Sequence, residues 1–197
     1  MFKLLKSLIP MALILSGCGA TTTQSCPQDI TSYYDINDFI HYADINGIMG
    51  INFNEYNSYF DNTYKNMRGW YSVLEDTSRK YAVEFYFYQD LSLVEADDID
   101  FITYPLLKEE SSYGYRQEIG VASLLGVEAS TRTTYYGLAG TETPYYYELS
   151  LIKDNRLYYI QFSDSDDWNI TPSDQAHLHE LFTLFINRIE ACKARLG

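Results

Sequence analysis

Basic residues are scarce in this chain: 14 Lys and Arg stand against 27 Asp and Glu, a net charge of −13. Nucleic-acid backbones are gripped by clustered Lys and Arg, so no nucleic-acid partner is expected. Histidine is scarcer still, with three copies. His177 and His179 stand two apart, a spacing at which helical side chains diverge, so the two cannot share a metal without outside ligands and read as solvated helix-surface residues. His41 is isolated. The chain has no Gly-x-Ser-x-Gly and no cysteine beside a histidine, which leaves acyl-transfer chemistry without its residues. We therefore expect no enzyme activity. Long apolar runs are also missing; the stretch from Leu8 to Leu15 is too short to span a bilayer. Of the three cysteines, one is placed so early that it bears on location rather than on the fold.

What is present begins with that location. Lys3 and Lys6 precede the apolar run, which closes with Leu15-Ser16-Gly17-Cys18, the charged start, short apolar middle and small residues of a secretory leader. The tetrapeptide resembles the lipobox of bacterial lipoproteins. The resemblance implies that residues 1–17 form a signal peptide and that Cys18 becomes the first mature residue, carrying diacylglycerol and an acyl chain (palmitate). Gly19, being other than Asp, resembles the signal for export to the outer membrane, facing the periplasm, where the envelope is Gram-negative. Removal of residues 1–17 takes two lysines and no acid, moving the charge from −13 to −15. So acidic a chain has only its acyl chains to hold it on an anionic membrane.

Residues 18–26 hold the lipidated cysteine and a small polar tether, Gly19 to Ser25, and residues 27–197 fall within single-domain size. Once Cys18 is lipidated, Cys26 and Cys192 remain in an oxidising compartment and read as a disulfide. The other reading is a buried free thiol, since Cys192 also lies on an apolar helical stripe. The chain holds 20 tyrosines, several in pairs such as Tyr33-Tyr34, Tyr135-Tyr136 and Tyr158-Tyr159. A pair on a strand sends one ring to each face of the sheet.

The clearest element is a hairpin. With Asp154-Asn155 as a two-residue turn, Lys153 faces Arg156, Leu151 faces Tyr158, Leu149 faces Ile160 and Tyr147 faces Phe162 on one apolar side. Glu148 then faces Gln161, and Ser150 faces Tyr159, on the other. Thr171-Pro172-Ser173-Asp174 next supplies an N-cap, a first-turn proline and a capping-box acid. Leu178, Leu181, Phe182, Phe185, Ile189 and Cys192 follow at helical spacing. Tyr81 to Tyr88 and Val127 to Tyr136 read as strands, Ala96 to Tyr104 as a helix and Lys108 to Tyr115 as loop. The order predicts an α+β fold, an antiparallel sheet packed between helices.

Tyr71-Ser-Val-Leu-Glu-Asp, Lys80-Tyr-Ala-Val-Glu-Phe, Leu125-Gly-Val-Glu-Ala129, the hairpin and the last helix together resemble the PsbP-like domain, and bacterial DcrB-type lipoproteins are similar. The likeness covers about residues 50–195, makes Ile51 to Phe53 a first strand, and implies an α/β/α sandwich with a non-catalytic accessory role. No site residue carries over from it.

Asp44, Asn46, Asn52 and Glu55 stand at positions one, three, nine and twelve of an EF-hand-like stretch. Apolar residues at helical spacing flank it: Ile36, Phe39, Ile40 and Ala43 before, Tyr56, Tyr59 and Phe60 after. Against a calcium site, Ile48 and Met49 occupy positions that need an oxygen ligand and a glycine. Ser163 to Trp168 concentrates acids in a loop, which reads as a solvated connection to the last helix. The leading expectation is a lipid-anchored bacterial envelope protein, membrane-bound and non-catalytic, that binds a protein partner through exposed tyrosines. No cofactor is expected beyond the acyl groups on Cys18. The alternative is an envelope module for a small ligand, glycan or apolar, or for calcium.

Overall fold

Alternating apolar and polar residues run through seven segments, which pair into one sheet. The computed structural model describes residues 35–61, 66–75, 78–93, 115–136, 143–165 and 169–192. Its strands are β1 (Glu55–Asp61), β2 (Asn66–Glu75), β3 (Ser78–Tyr88), β4 (Tyr115–Leu124), β5 (Val127–Tyr136), β6 (Thr143–Lys153) and β7 (Arg156–Asp164). They lie in the order β1-β2-β3-β7-β6-β5-β4, every pair antiparallel. Helices α1 (Tyr42–Met49) and α2 (Pro172–Ala191) complete the described elements, with 3₁₀ turns at Ile36–Asp38 before α1 and Leu91–Leu93 after β3. The fold is α+β. The segment from Ala96 to Tyr104, expected to be helical, lies outside the described residues.

The hairpin has the expected register throughout: Lys153 faces Arg156, and the pairs continue to Tyr147 with Phe162. Asp154 and Asn155 both take positive φ, 50° and 60°, the mirror-image turn that matches the twist of the strands. β4 has no counterpart among the elements expected from the sequence. It pairs with β5 through a second two-residue turn, Leu125-Gly126, whose φ values are 52° and 75°. A leucine in the left-handed region is the reason the turn leaves no sequence signal, since its Cβ crowds the following carbonyl. Leu125→Asn is expected to stabilise the fold by about 0.5–1 kcal/mol, read as a higher urea midpoint at unchanged slope.

The expected first strand, Ile51 to Phe53, is instead a connection, and β1 begins at Glu55. Gly50, at φ 68°, ends α1 and turns the chain toward the sheet. Tyr56 and Phe60 are four apart, a spacing that suits a strand face as well as a helix face; in the strand they point toward the core while Tyr59 points out, 58 % exposed.

Both helices lie on one face of the sheet. Phe85 of β3 meets Phe185 of α2 edge-on, with ring centroids 5.0 Å apart. Leu178, Leu181, Phe182, Phe185, Ile189 and Cys192 are all buried, as the helical stripe requires, and the Thr171–Asp174 capping box forms. Gly69 of β2 leaves room for the 3₁₀ turn: a Cβ there would stand 2.6 Å from Ile36 Cβ. Arg188 is the one charged residue buried on α2. Its guanidinium donates to the Phe39 carbonyl at 2.6 Å and to both Asp44 oxygens at 2.5 and 2.7 Å, tying α1 to α2.

Candidate functional site

Tyrosine plays two separate parts in this sheet. On the helix-covered face it spans the gap between sheet and helices with a ring in the core and a hydroxyl on a helix. Tyr71 donates to the Ile40 carbonyl and lies 3.1 Å from Asn37 Oδ1. Tyr158 donates to Glu190 at 2.6 Å, and the Tyr147 hydroxyl meets His179 Nε2 at 2.6 Å with the two rings stacked. Tyr56 donates to Asp35, beside the 3₁₀ turn. Burial first, then neighbouring carboxylates, pushes the hydroxyls of Tyr56 and Tyr158 far above the ordinary range, and burial pushes that of Tyr147 up to about 12. These hydroxyls are therefore neutral at physiological pH, and those of Tyr56 and Tyr158 donate to carboxylates.

The opposite face carries a chain of charged and aromatic side chains. Cross-strand register sets Tyr59, Arg68, Tyr86 and Tyr159 in one row and Asn57, Trp70, Glu84, Gln161, Glu148 and Arg132 in the next. Arg68 Nη2 bonds Glu84 Oε2 at 3.1 Å, and Tyr86 donates to the same oxygen at 3.1 Å. The Arg68 guanidinium also sits 4.7 Å from the centre of the Tyr86 ring and 5.3 Å from that of Trp70, within cation–π range of both. Tyr86 meets Tyr159 edge-on at 5.1 Å; Tyr159 donates to Glu148, which Arg132 clasps with two nitrogens. Arg68 Nε and the Ser72 hydroxyl, both on β2, are buried without a partner.

The two halves of this face differ in exposure. Glu148 and Tyr159 are buried, whereas the Arg68 side chain keeps 44 % of its surface and Tyr59 58 %. The accessible part of this charged and aromatic chain is thus its end at the corner formed by β1, β2 and β3. Sequence reasoning missed Arg68, Trp70, Glu84 and Tyr86. Their signal was Arg68 and Trp70 alternating on one strand and Glu84 and Tyr86 on the next, but pairing Arg68 with Glu84 needs the β2–β3 register, which no local pattern supplies.

The residues singled out beforehand are placed as follows. Asp44 and Asn46 lie on α1, so the first half of the EF-hand-like stretch is helix; Asp44 is held by Arg188, and Asn46 accepts from the Phe53 amide and donates to Asn52. Glu55 opens β1, exposed. Among the described residues, no group of three or more His, Cys, Asp or Glu is placed to hold a metal ion. His179 is half-buried against Tyr147 rather than solvated, and burial lowers its pKa. His177 Nδ1 is buried without a partner. Both corrections follow from α2 sitting deep on the sheet, so that residues flanking its apolar stripe are covered as well. Asp164 belongs to β7 and is buried rather than lying in a solvated loop, and Ser165 donates to the Lys80 carbonyl at 2.8 Å through its amide. Residues 166–168, Cys18 and Cys26 lie outside the described residues. Cys192 is disulfide-bonded, its partner lying outside them too. No helix among the described residues is long and apolar enough to cross a membrane.

The chain matches no protein-family model and none of the curated proteins. Among solved structures it is similar to the extracellular domain of PknH from Mycobacterium tuberculosis, with a TM-score of 0.45 and 9 % identity over 76 % of this chain and 93 % of that one. A second likeness is to PA94, a protein of unknown function from Pseudomonas aeruginosa, with a TM-score of 0.30 and 12 % identity over 68 % of this chain and 80 % of that one. At these levels neither likeness carries an argument about function.

Proposed function

We propose that this chain is a lipid-anchored bacterial envelope protein whose single domain is non-catalytic and binds a protein partner through the β1–β2–β3 corner. The observation that carries this reading is Arg68 lying against both Trp70 and Tyr86, with Tyr59 exposed at the outer edge. Trp, Tyr and Arg are the side chains that dominate protein interfaces, because they bring large contact area and directed donors together. The guanidinium stands over both rings and occupies a face of each that a stacked sugar would need, which favours a protein over a glycan. The arrangement proposed for the whole domain is the PsbP-like sandwich, with the sheet held between helices. Its support is the burial of Leu157, Tyr159 and Glu148 on the face turned away from α1 and α2.

A photo-crosslinker at Tyr59, used in native envelope membranes, is expected to capture a discrete protein adduct. Trp70→Ala should weaken that capture by roughly thirtyfold, the effect of removing a central interface aromatic. Capture of lipid or glycan alone, or an adduct unchanged by Trp70→Ala in a folded protein, would refute the reading.

A further inference from the structure

β4 is the outermost strand on its side of the sheet, and among the described residues no strand lies beyond it. An outer strand presents a row of unpaired amides and carbonyls, which proteins usually blunt with charge, proline or a bulge. The half of β4 from Ile119 to Leu124, Ile-Gly-Val-Ala-Ser-Leu, has no charge and no proline. Its pairing with β5 runs without a bulge from Tyr115 opposite Tyr136 to Leu124 opposite Val127. Val121 is 72 % exposed. With Leu125 and Tyr136, the β4–β5 hairpin carries half of the large apolar side chains that stand exposed among the described residues.

Charge selects the occupant. At −15 the mature chain repels its own copies wherever carboxylates meet. Two β1 strands paired antiparallel about Ser58 would set Glu55 of each copy opposite Asp61 of the other, like charge against like. Two β4 strands paired about Val121 avoid this: Val121 faces Val121, Gly120 faces Ala122, Ile119 faces Ser123 and Glu118 faces Leu124. We propose that two copies of this chain join antiparallel along β4, with a two-fold axis at Val121, so that one sheet runs through both. The edge is self-complementary in shape, because small residues flank the valine, and neutral in a chain that is otherwise strongly acidic.

The test uses the full chain, expressed with its own leader and purified in detergent. Sedimentation equilibrium should give a monomer–dimer equilibrium that salt tightens, since screening removes the background repulsion. Val121→Lys, a change at an exposed position, sets two ammonium groups across the axis and should raise the dimer dissociation constant roughly tenfold or more. Val121→Cys should give a covalent dimer on mild oxidation in membranes, while Tyr59→Cys on the opposite edge should not. A monomer at every concentration, a dimer indifferent to Val121→Lys, or crosslinking at Tyr59 but not at Val121 would overturn the proposal. So would a monomer whose Ile119 to Ser123 amides resist hydrogen exchange, because the edge would then be covered by its own chain.

Discussion

Arg188→Ala is expected to lower the unfolding free energy by about 3–5 kcal/mol, the range for removing one partner of a buried ion pair. The arginine is nearly buried on α2 and makes three hydrogen bonds, to the Phe39 carbonyl and to both oxygens of Asp44. Its loss takes the guanidinium from the buried Phe39 carbonyl and from a half-buried carboxylate that keeps the His41 amide, and both groups then bear an uncompensated cost of desolvation. Burial alone would raise the Asp44 pKa, but the hydrogen bonds and charge of Arg188, with the His41 amide, outweigh it and hold the carboxyl below its usual range. A carboxyl depressed on folding contributes stability that is complete above the unfolded value, near pH 4, and is lost as pH falls through the folded one. Wild type should therefore lose its advantage over Arg188→Ala below about pH 4. Urea unfolding of both proteins at neutral and acid pH measures this. A neutral-pH difference under about 1 kcal/mol would show that α1 is held by its apolar contacts alone. Arg188→Met with Asp44→Leu should recover most of the loss, since it removes both charges at once.

Cys18→Ser is expected to abolish lipidation and to move nearly all of the protein out of the membrane fraction. The thioether-forming thiol is lost, and each acyl methylene buried in the bilayer is worth roughly 0.8 kcal/mol, so no other contact replaces two or three acyl chains. Under the proposed processing, which removes residues 1–17, the chain carries −15, is repelled by anionic lipid and has no basic cluster to offset that. Labelling with palmitate and fractionation of membranes decide the matter. A Cys18→Ser protein that incorporates no label yet still sediments with membranes would place the attachment elsewhere, in a protein partner. The same experiment bears on Cys192: with Cys18 acylated, Cys26 is the thiol left for its disulfide, and Cys26→Ser should then expose a thiol at Cys192 to alkylation after unfolding.

The β6–β7 hairpin and α2 were legible because each is specified locally. Period-two alternation, a turn that tolerates positive φ, and a capping box all lie within a few residues of what they determine. β1 was misread because Tyr56 and Phe60 satisfy helical and strand spacing alike, and Gly50, which decides between them, matters only through its backbone conformation. β4 was missed because its turn uses a leucine where a sequence reader looks for Asn or Gly. Tyr158 and Tyr159 split across the sheet, as the pairs were read to do, whereas the rings of Tyr145 and Tyr146 lie together, with centroids 3.7 Å apart. Yet the abundance of tyrosine pointed to an exposed binding surface, whereas Tyr71, Tyr147 and Tyr158 are ties between sheet and helix.

By itself the sequence determined the acidic character, the α+β class, the hairpin register and the cap and buried stripe of the last helix, all of which rest on spacing along one segment. Only the tertiary structure decided that Asp44 pairs with Arg188, since the two are distant in the chain and meet only when α1 docks on α2. It likewise decided that Arg68, Trp70, Glu84 and Tyr86 form one cluster, because side chains on neighbouring strands become neighbours through cross-strand register, and register is set by the packing of the whole sheet.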